Sequence, residues 1–207
     1  MAKFPEPPAA ADLAQVPPEP RTAAAGTLLW RLYFRGGRHP TFWNSFRAFG
    51  PTRGRFDHQL PPPRAQGRMI FYCAEHGPTC LAEVFQDIRV IDRGARDPWL
   101  VGFSLARDAA LLDLTGTWPT RAGASMAINS GLRPRAQRWS QAIYEAYPAL
   151  EGIYYPSSMN ANRPAIALYE RALTALPRAP VFHRPLRDPA LLSVLRHAAQ
   201  DLGYGLS

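Results

Sequence analysis

Leu28-Leu29-Trp30-Arg31-Leu32-Tyr33 sets a single arginine among leucines and aromatic residues. The run is too short for a core helix and rich in aromatic side chains, so it reads as the first buried strand of a folded domain. Everything before it reads differently. Residues 1–25 contain six prolines and eight alanines with no helical or strand period, which predicts an extended or disordered arm over 1–26, or one that wraps a neighbouring subunit, and no chemistry there. After it, a loop rich in Gly, Arg and Pro runs from Phe34 to Gln66, and a loop that long in a small domain is more often functional than idle. Arg68 to Ala74 then reads as a second buried strand. Gly77-Pro78 opens a short helix whose inward face is Leu81, Val84 and Phe85, with Glu83 beside them. Trp99 to Leu105, Ala110 to Leu114, Gly152 to Pro156 and Val181-Phe182 read as strands, and Pro134 to Tyr147 as a helix. Leu168 to Leu176 fits helix or strand, and Pro189 to Leu202 is a terminal amphipathic helix. Strands and helices interleave without a regular βαβ rhythm, which predicts an α+β domain: a mixed, mostly antiparallel sheet with flanking helices.

With 207 residues, 46% hydrophobic and 19% charged, the chain suits one globular domain with short extensions. Its longest apolar runs fall far short of a membrane span, and the N-terminus lacks a basic-then-apolar leader pattern, so a cytoplasmic protein is expected. Cys73 and Cys80 are too few for a disulfide framework. With His76 between them they lack the four-ligand spacing of a zinc site, and no metal is expected. The net charge is +8 and 23 of the 24 cations are arginine, Lys3 being the exception. Such a chain favours an anionic partner without choosing among nucleotide, nucleic acid and acidic protein.

Three positions put a polar group in an apolar setting. They are Arg31 in the opening strand, Glu83 in Cys80-Leu81-Ala82-Glu83-Val84-Phe85, and Ser157 after Gly152-Ile153-Tyr154-Tyr155-Pro156. A buried charge is costly unless it is paired or used. Each has an ordinary reading as well: a strand arginine facing solvent, the wet side of a helix, a turn serine.

The surrounding stretches point further. Trp30-Arg31-Leu32-Tyr33, Gly54-Arg55-Phe56-Asp57, Ile70-Phe71-Tyr72-Cys73-Ala74-Glu75, Leu81-Ala82-Glu83-Val84 and Gly152 to Ser157 occur in the order of the RES-domain family, named for its Arg, Glu and Ser. The chain resembles that family over roughly residues 27–185, leaving the arm and the last helix, 186–207, outside. The resemblance implies an ADP-ribosyltransferase-like fold. It also implies a toxin of a toxin–antitoxin system that depletes NAD by cleaving the nicotinamide–ribose bond, as glycohydrolase or phosphorylase. Its catalytic residues would be Arg31, Glu83 and Ser157. Glu83 would stabilise a ribosyl cation-like transition state. Arg31 and Arg55 would clamp the NAD pyrophosphate, Ser157 would bind the nicotinamide amide or a ribose hydroxyl, and Tyr72 would stack on a flat ring. Ser158 stands as an alternative to Ser157, and Tyr33 or Tyr154 as alternatives to Tyr72. The implied partner is an antitoxin with a helix-turn-helix DNA-binding domain that blocks the active-site entrance. Both a homo-oligomer and a toxin–antitoxin hetero-oligomer fit.

Other classes compete. A protein ADP-ribosyltransferase would use the same residues with a protein acceptor. A nucleic-acid-binding module is motivated by the arginines interspersed with Phe42, Trp43 and Phe46, but no recognition motif accompanies them, and direct nucleic-acid binding is not expected. Gly123-Ala124-Ser125-Met126-Ala127 lacks the second glycine of a nucleophile elbow, which argues against a serine hydrolase. A protein that kept the fold and lost catalysis is disfavoured by retention of all three named residues.

Overall fold

A computed structural model of the chain describes residues 4–207; residues 1–3, with Lys3 and the first part of the expected arm, lie outside the described residues. The elements run α1 (Ala10–Leu13), β1 (Pro20–Ala23), β2 (Leu28–Phe34), β3 (Arg47–Gly50), β4 (Arg64–Ala74), α2 (Gly77–Val84), β5 (Val90–Ile91), β6 (Pro98–Ser104) and β7 (Ala109–Asp113). They continue through α3 (Trp118–Arg121), α4 (Arg133–Ala146), β8 (Gly152–Pro156), β9 (Pro164–Tyr169), β10 (Phe182–Pro185), α5 (Leu192–Leu202) and β11 (Gly205–Leu206). Nine strands form one sheet in the order β1-β7-β8-β9-β4-β2-β6-β10, with β3 paired to β4, while β11 and β5 make a separate small parallel pair. Within the large sheet only β7 and β8 run parallel. This is the mixed, mostly antiparallel α+β architecture expected from the sequence.

Side chains alternate across each strand, and the alternation divides the core in two. Leu32, Ile70, Ala74, Leu112, Ile153, Tyr155, Ala165, Ala167 and Tyr169 face one way, under the buried sides of α2, α4 and α5. Leu29, Phe71, Phe103, Leu111, Tyr154, Ile166 and Leu168 face the other, under Phe46 and under Ala172 and Ala175 of a 3-10 turn. In α4 the buried residues Ala136, Trp139, Ser140 and Ile143 recur at helical spacing, which fixes the face it presents to the sheet. The stretch 168–176, open between helix and strand in the sequence, is both: the end of β9, then 3-10 turn Glu170–Ala175.

Of the expected arm, the described residues from Phe4 on are packed on the domain's own core. Leu13 is fully buried and Phe4 stacks on Trp139 with centroids 6.5 Å apart. The Trp139 indole donates to Pro5 O at 2.9 Å, and the Tyr147 hydroxyl lies 2.8 Å from both Leu13 O and Val16 O. β1 then closes the sheet edge against β7. Proline and alanine carry no period, yet a few apolar anchors and main-chain hydrogen bonds suffice to dock such a segment. Composition does not encode those contacts.

One pairing shapes the site. β2 runs beside β6 for its full length, Leu28 to Phe34, but meets β4 only where Trp30 faces Ala74. Beyond that point β3 occupies the edge of β4, pairing Arg47 with Ile70, and β2 peels away. The sheet opens into a wedge.

Candidate active site

A cavity of about 480 Å³ fills the wedge. Leu32 and Phe34 of β2 line one side and Tyr72 of β4 the other; Glu83 and Val84 of α2, Tyr155 of β8 and the 52–55 loop close it. Five arginines, Arg47, Arg53, Arg55, Arg96 and Arg133, line it against two carboxylates, Glu83 and Asp87. Such a balance suits an anionic ligand.

Glu83 is held from behind. The Ser157 hydroxyl donates to its Oε1 at 2.5 Å, and the same Oγ accepts from Met159 N and Asn160 N at 3.2 Å. Ser157 follows β8, where the chain turns toward β9, and is completely buried. Burial pushes the Glu83 carboxyl above its ordinary range, while the Ser157 hydrogen bond and the charges of Arg55 and Arg133 oppose that rise. Desolvation likewise lowers Arg55, aided by Arg133 and resisted by Glu83. The site therefore holds a half-buried carboxylate facing guanidinium groups in a small, partly dry space.

The 52–57 loop is organised by Asp57, which is fully buried. Its oxygens accept from Arg47 Nη2 at 2.5 Å, Thr52 N at 2.6 Å, Thr52 Oγ1 at 2.9 Å and Tyr72 Oη at 2.9 Å. Tyr72 Oη in turn accepts from Phe56 N at 3.0 Å. Burial raises the Tyr72 phenol well above its ordinary value, so it stays neutral and serves as a fixed wall. Arg55 reaches across to donate to Gly131 O at 2.7 Å.

Glu83, Arg55 and Tyr72 thus meet at one cavity, with Ser157 directly behind Glu83. Ser158, the alternative to Ser157, lines the cavity itself, whereas the Ser157 hydroxyl is spent on Glu83 and two main-chain amides. Arg31 and Tyr33 are not brought there. Residues 29, 31 and 33 share the far face of β2, and Leu32 takes the cavity side. The Arg31 guanidinium carbon lies 3.9 Å from the centre of the Phe71 ring, Nη1 is buried without a hydrogen bond, and burial pulls its pKa to about 10. It is therefore a half-buried arginine stacked on Phe71, and it is not among the residues that line the cavity. The Tyr33 hydroxyl is 2.6 Å from His183 Nε2. Tyr154 faces the same far side, under the Arg21 guanidinium 4.1 Å from its ring centre; its neighbour Tyr155 lines the cavity instead. The sequence held that signal, because a site at Ser157 predicts Tyr155, two residues back, on the same face. Asp57, Arg96 and Arg133 carry no such mark, since their places depend on loops and on the start of α4. Ser125 caps a 3-10 turn by accepting from Ala127 N. Among the described residues no group of three or more His, Cys, Asp or Glu is placed to hold a metal, and no helix is long and apolar enough to cross a membrane.

An antiparallel-rich sheet split by a cleft, with a hydroxyl-bound glutamate facing arginines, defines an α+β protein built around an arginine-lined cleft. The RES domain model matches residues 28–189, and the chain belongs to the RES-domain family. No curated protein sequence matches it significantly. Among solved structures it is similar to a chain from the crystal structure of the M. tuberculosis MbcT-MbcA toxin-antitoxin complex, with TM-score 0.58 and 17% identity over 91% of this chain and 97% of that one. At that identity the likeness establishes the fold.

Proposed function

We propose that the protein is the toxin of a toxin–antitoxin pair and acts by cleaving the bond between nicotinamide and ribose in NAD. The observation that carries the reading is Glu83: a half-buried carboxylate, oriented by Ser157 at 2.5 Å, in a cavity that five arginines also line. In the reaction the C1′–N bond breaks and its electron pair leaves with nicotinamide, which becomes neutral. The ribosyl carbon is left with cationic character, and water or phosphate supplies the oxygen that bonds to it. With water, the surplus proton passes to solvent.

Glu83 faces the developing positive charge and stabilises it electrostatically. Arg55 and Arg133 are placed for the anionic portion of the dinucleotide, and Tyr72 and Tyr155 offer aromatic walls. Arg31 and Ser157 act as positioning residues, one beneath the β2–β4 junction and one behind Glu83. The partner is an antitoxin, carried over from the complex in which the structural neighbour was solved; the helix-turn-helix domain expected of it follows from the family resemblance.

The test is nicotinamide release from NAD by the purified chain beside Glu83→Gln, with and without phosphate. Release by the unsubstituted protein and its loss in the variant support the reading, and phosphate dependence separates phosphorolysis from hydrolysis. Release that appears only with an added acceptor protein replaces NAD depletion by ADP-ribosylation. Absence of release under every condition sinks both.

A further inference from the structure

Of the five arginines lining the cavity, four have a protein group within reach that engages part of their N–H donors. Arg47 binds Asp57, Arg55 binds Gly131 O, Arg133 binds Gln86 Oε1 at 2.6 Å, and Arg53 lies 3.9 Å from Asp87. Arg96 differs. Among the described residues its guanidinium has no carboxylate or carbonyl partner, and it lies flat over Phe34, 3.8 Å from the ring centre. Its five N–H donors remain free for a ligand while the ring fixes the plane of the fork.

The backbone beneath it is unusual too. Arg96 and Asp97 both adopt left-handed conformations, with φ of 62° and 51°, at adjacent positions in the turn before β6. Aspartate tolerates that conformation, whereas for arginine it carries a cost. The surroundings hold it in place. Gly36 N donates to Arg96 O at 2.9 Å, Arg35 N to Asp97 O at 3.1 Å, and the Trp99 indole to Asp97 Oδ2 at 3.0 Å. Gly37, itself at φ 89°, leaves room for the side chain; a Cβ there would sit 3.1 Å from Arg96 Cγ. Arg96 lines both the main cavity and an annex of about 180 Å³ that is bounded by Phe34, Val84, Phe85 and Ile88 and carries the carboxylates Asp87 and Asp92. Strain maintained by several independent contacts, ending in an unpaired guanidinium at a cavity mouth, marks a preorganised anion contact.

We infer that Arg96 is a binding residue for the diphosphate of the ligand at the mouth of the arginine-lined cavity. The inference rests on the NAD reading only for the identity of that diphosphate.

Calorimetry with inorganic pyrophosphate compares the full-length chain with Arg96→Ala, Arg96→Lys and the distant charge control Arg184→Ala. The expected result is binding weakened about tenfold in Arg96→Ala, partly regained with lysine, which keeps the charge and loses the fork, and unchanged in the control. In the nicotinamide assay Arg96→Ala raises KM for NAD about tenfold, leaves kcat within about twofold, and does not alter cleavage of nicotinamide riboside, which has no diphosphate. Failure of the unsubstituted chain to bind pyrophosphate overturns the inference, as does equal binding by Arg96→Ala or an equal loss on nicotinamide riboside. An effect confined to orthophosphate also overturns it, moving Arg96 to an acceptor site. Arg96-dependent pyrophosphate binding without any nicotinamide release supports the anion contact and removes NAD cleavage.

Discussion

The Ser157 hydroxyl and Glu83 Oε1 lie 2.5 Å apart, although 74 positions separate them in the chain. This contact joins the end of β8 to the last turn of α2. Because the same Oγ also receives two main-chain amides, its proton has one direction to point: at the carboxylate.

Ser157→Ala is expected to lower kcat for nicotinamide release about 10- to 100-fold, the range for losing one hydrogen bond to a charged group. The pH profile distinguishes orientation from simple damage. Ser157 holds the Glu83 pKa down against burial. Without it the acidic limb, where activity falls as Glu83 takes a proton, moves to higher pH. A lowered rate with an unmoved limb would refute the positioning role.

Glu83 itself is a stability liability. Burial raises its folded pKa above the ordinary 4.5, so keeping it ionised costs stability at pH above the folded value, and the cost disappears once pH falls below the unfolded one. Glu83→Gln is therefore expected to be inactive yet more resistant to urea than the unsubstituted protein at pH 7, with the two midpoints converging toward pH 4.5. A variant less stable at pH 7 would contradict this.

Glu170 behaves in the opposite sense. Burial alone would raise it, but His58, the Tyr144 hydroxyl at 2.5 Å and the Met69 amide hold it down at about 2. A depressed acid contributes stability that is present above its unfolded value of 4.5 and lost as pH falls through about 2. Urea midpoints measured between pH 5 and 2 are expected to fall less steeply for Glu170→Gln than for the unsubstituted chain.

How far the sequence reached can be read from the strands. Arg31 was conspicuous because it interrupts an apolar run, and that run is β2; what could not be read was which face the arginine takes once β2 leaves β4. Glu83 falls on the predicted helix and Ser157 at the predicted strand end, since both elements have strong local patterns. Their contact is a tertiary fact. β1, β3, β5 and β11 have no signature in the sequence because short strands are held by main-chain pairing that any residue supplies, and β9, though central in the sheet, shows only from Leu168 on. Asp57 stands in the Gly54-Arg55-Phe56-Asp57 stretch, but its role as anchor of the 52–57 loop is not legible there, because a buried loop carboxylate has no periodic signature.

Asp57→Asn tests that role. The substitution keeps the size but removes the charge facing Arg47 and disturbs a set of four donors. Breaking a buried pair of this kind costs on the order of 3 kcal/mol, which corresponds to a fall in Tm of roughly 6–12 °C for a domain of this size. NAD cleavage should decline more than the loss of folded protein explains, because Tyr72 and the 52–55 loop lose their anchor. Thermal unfolding beside activity at 15 °C, where the variant is folded, separates the two effects.

The N-terminal segment is connected to the same wall through one carbonyl. Arg55 donates to Gly131 O, and Gly131 is packed so closely against Phe4 that a Cβ there would lie 2.9 Å from the Phe4 ring. Phe4 is buried against Trp139, and Glu6 next to it pairs with Arg138 at 2.6 Å and Arg135 at 3.1 Å. Phe4→Ala is expected to cost about 3 kcal/mol, as for other buried phenylalanines. It should also release the Gly131 loop, leaving Arg55 without a fixed acceptor. The kinetic signature is a several-fold rise in KM for NAD, because Arg55 acts on the anionic portion, with the acidic limb set by Glu83 and Ser157 left in place. A Phe4→Ala protein with unchanged KM would show that the segment stabilises the fold without reaching the cavity.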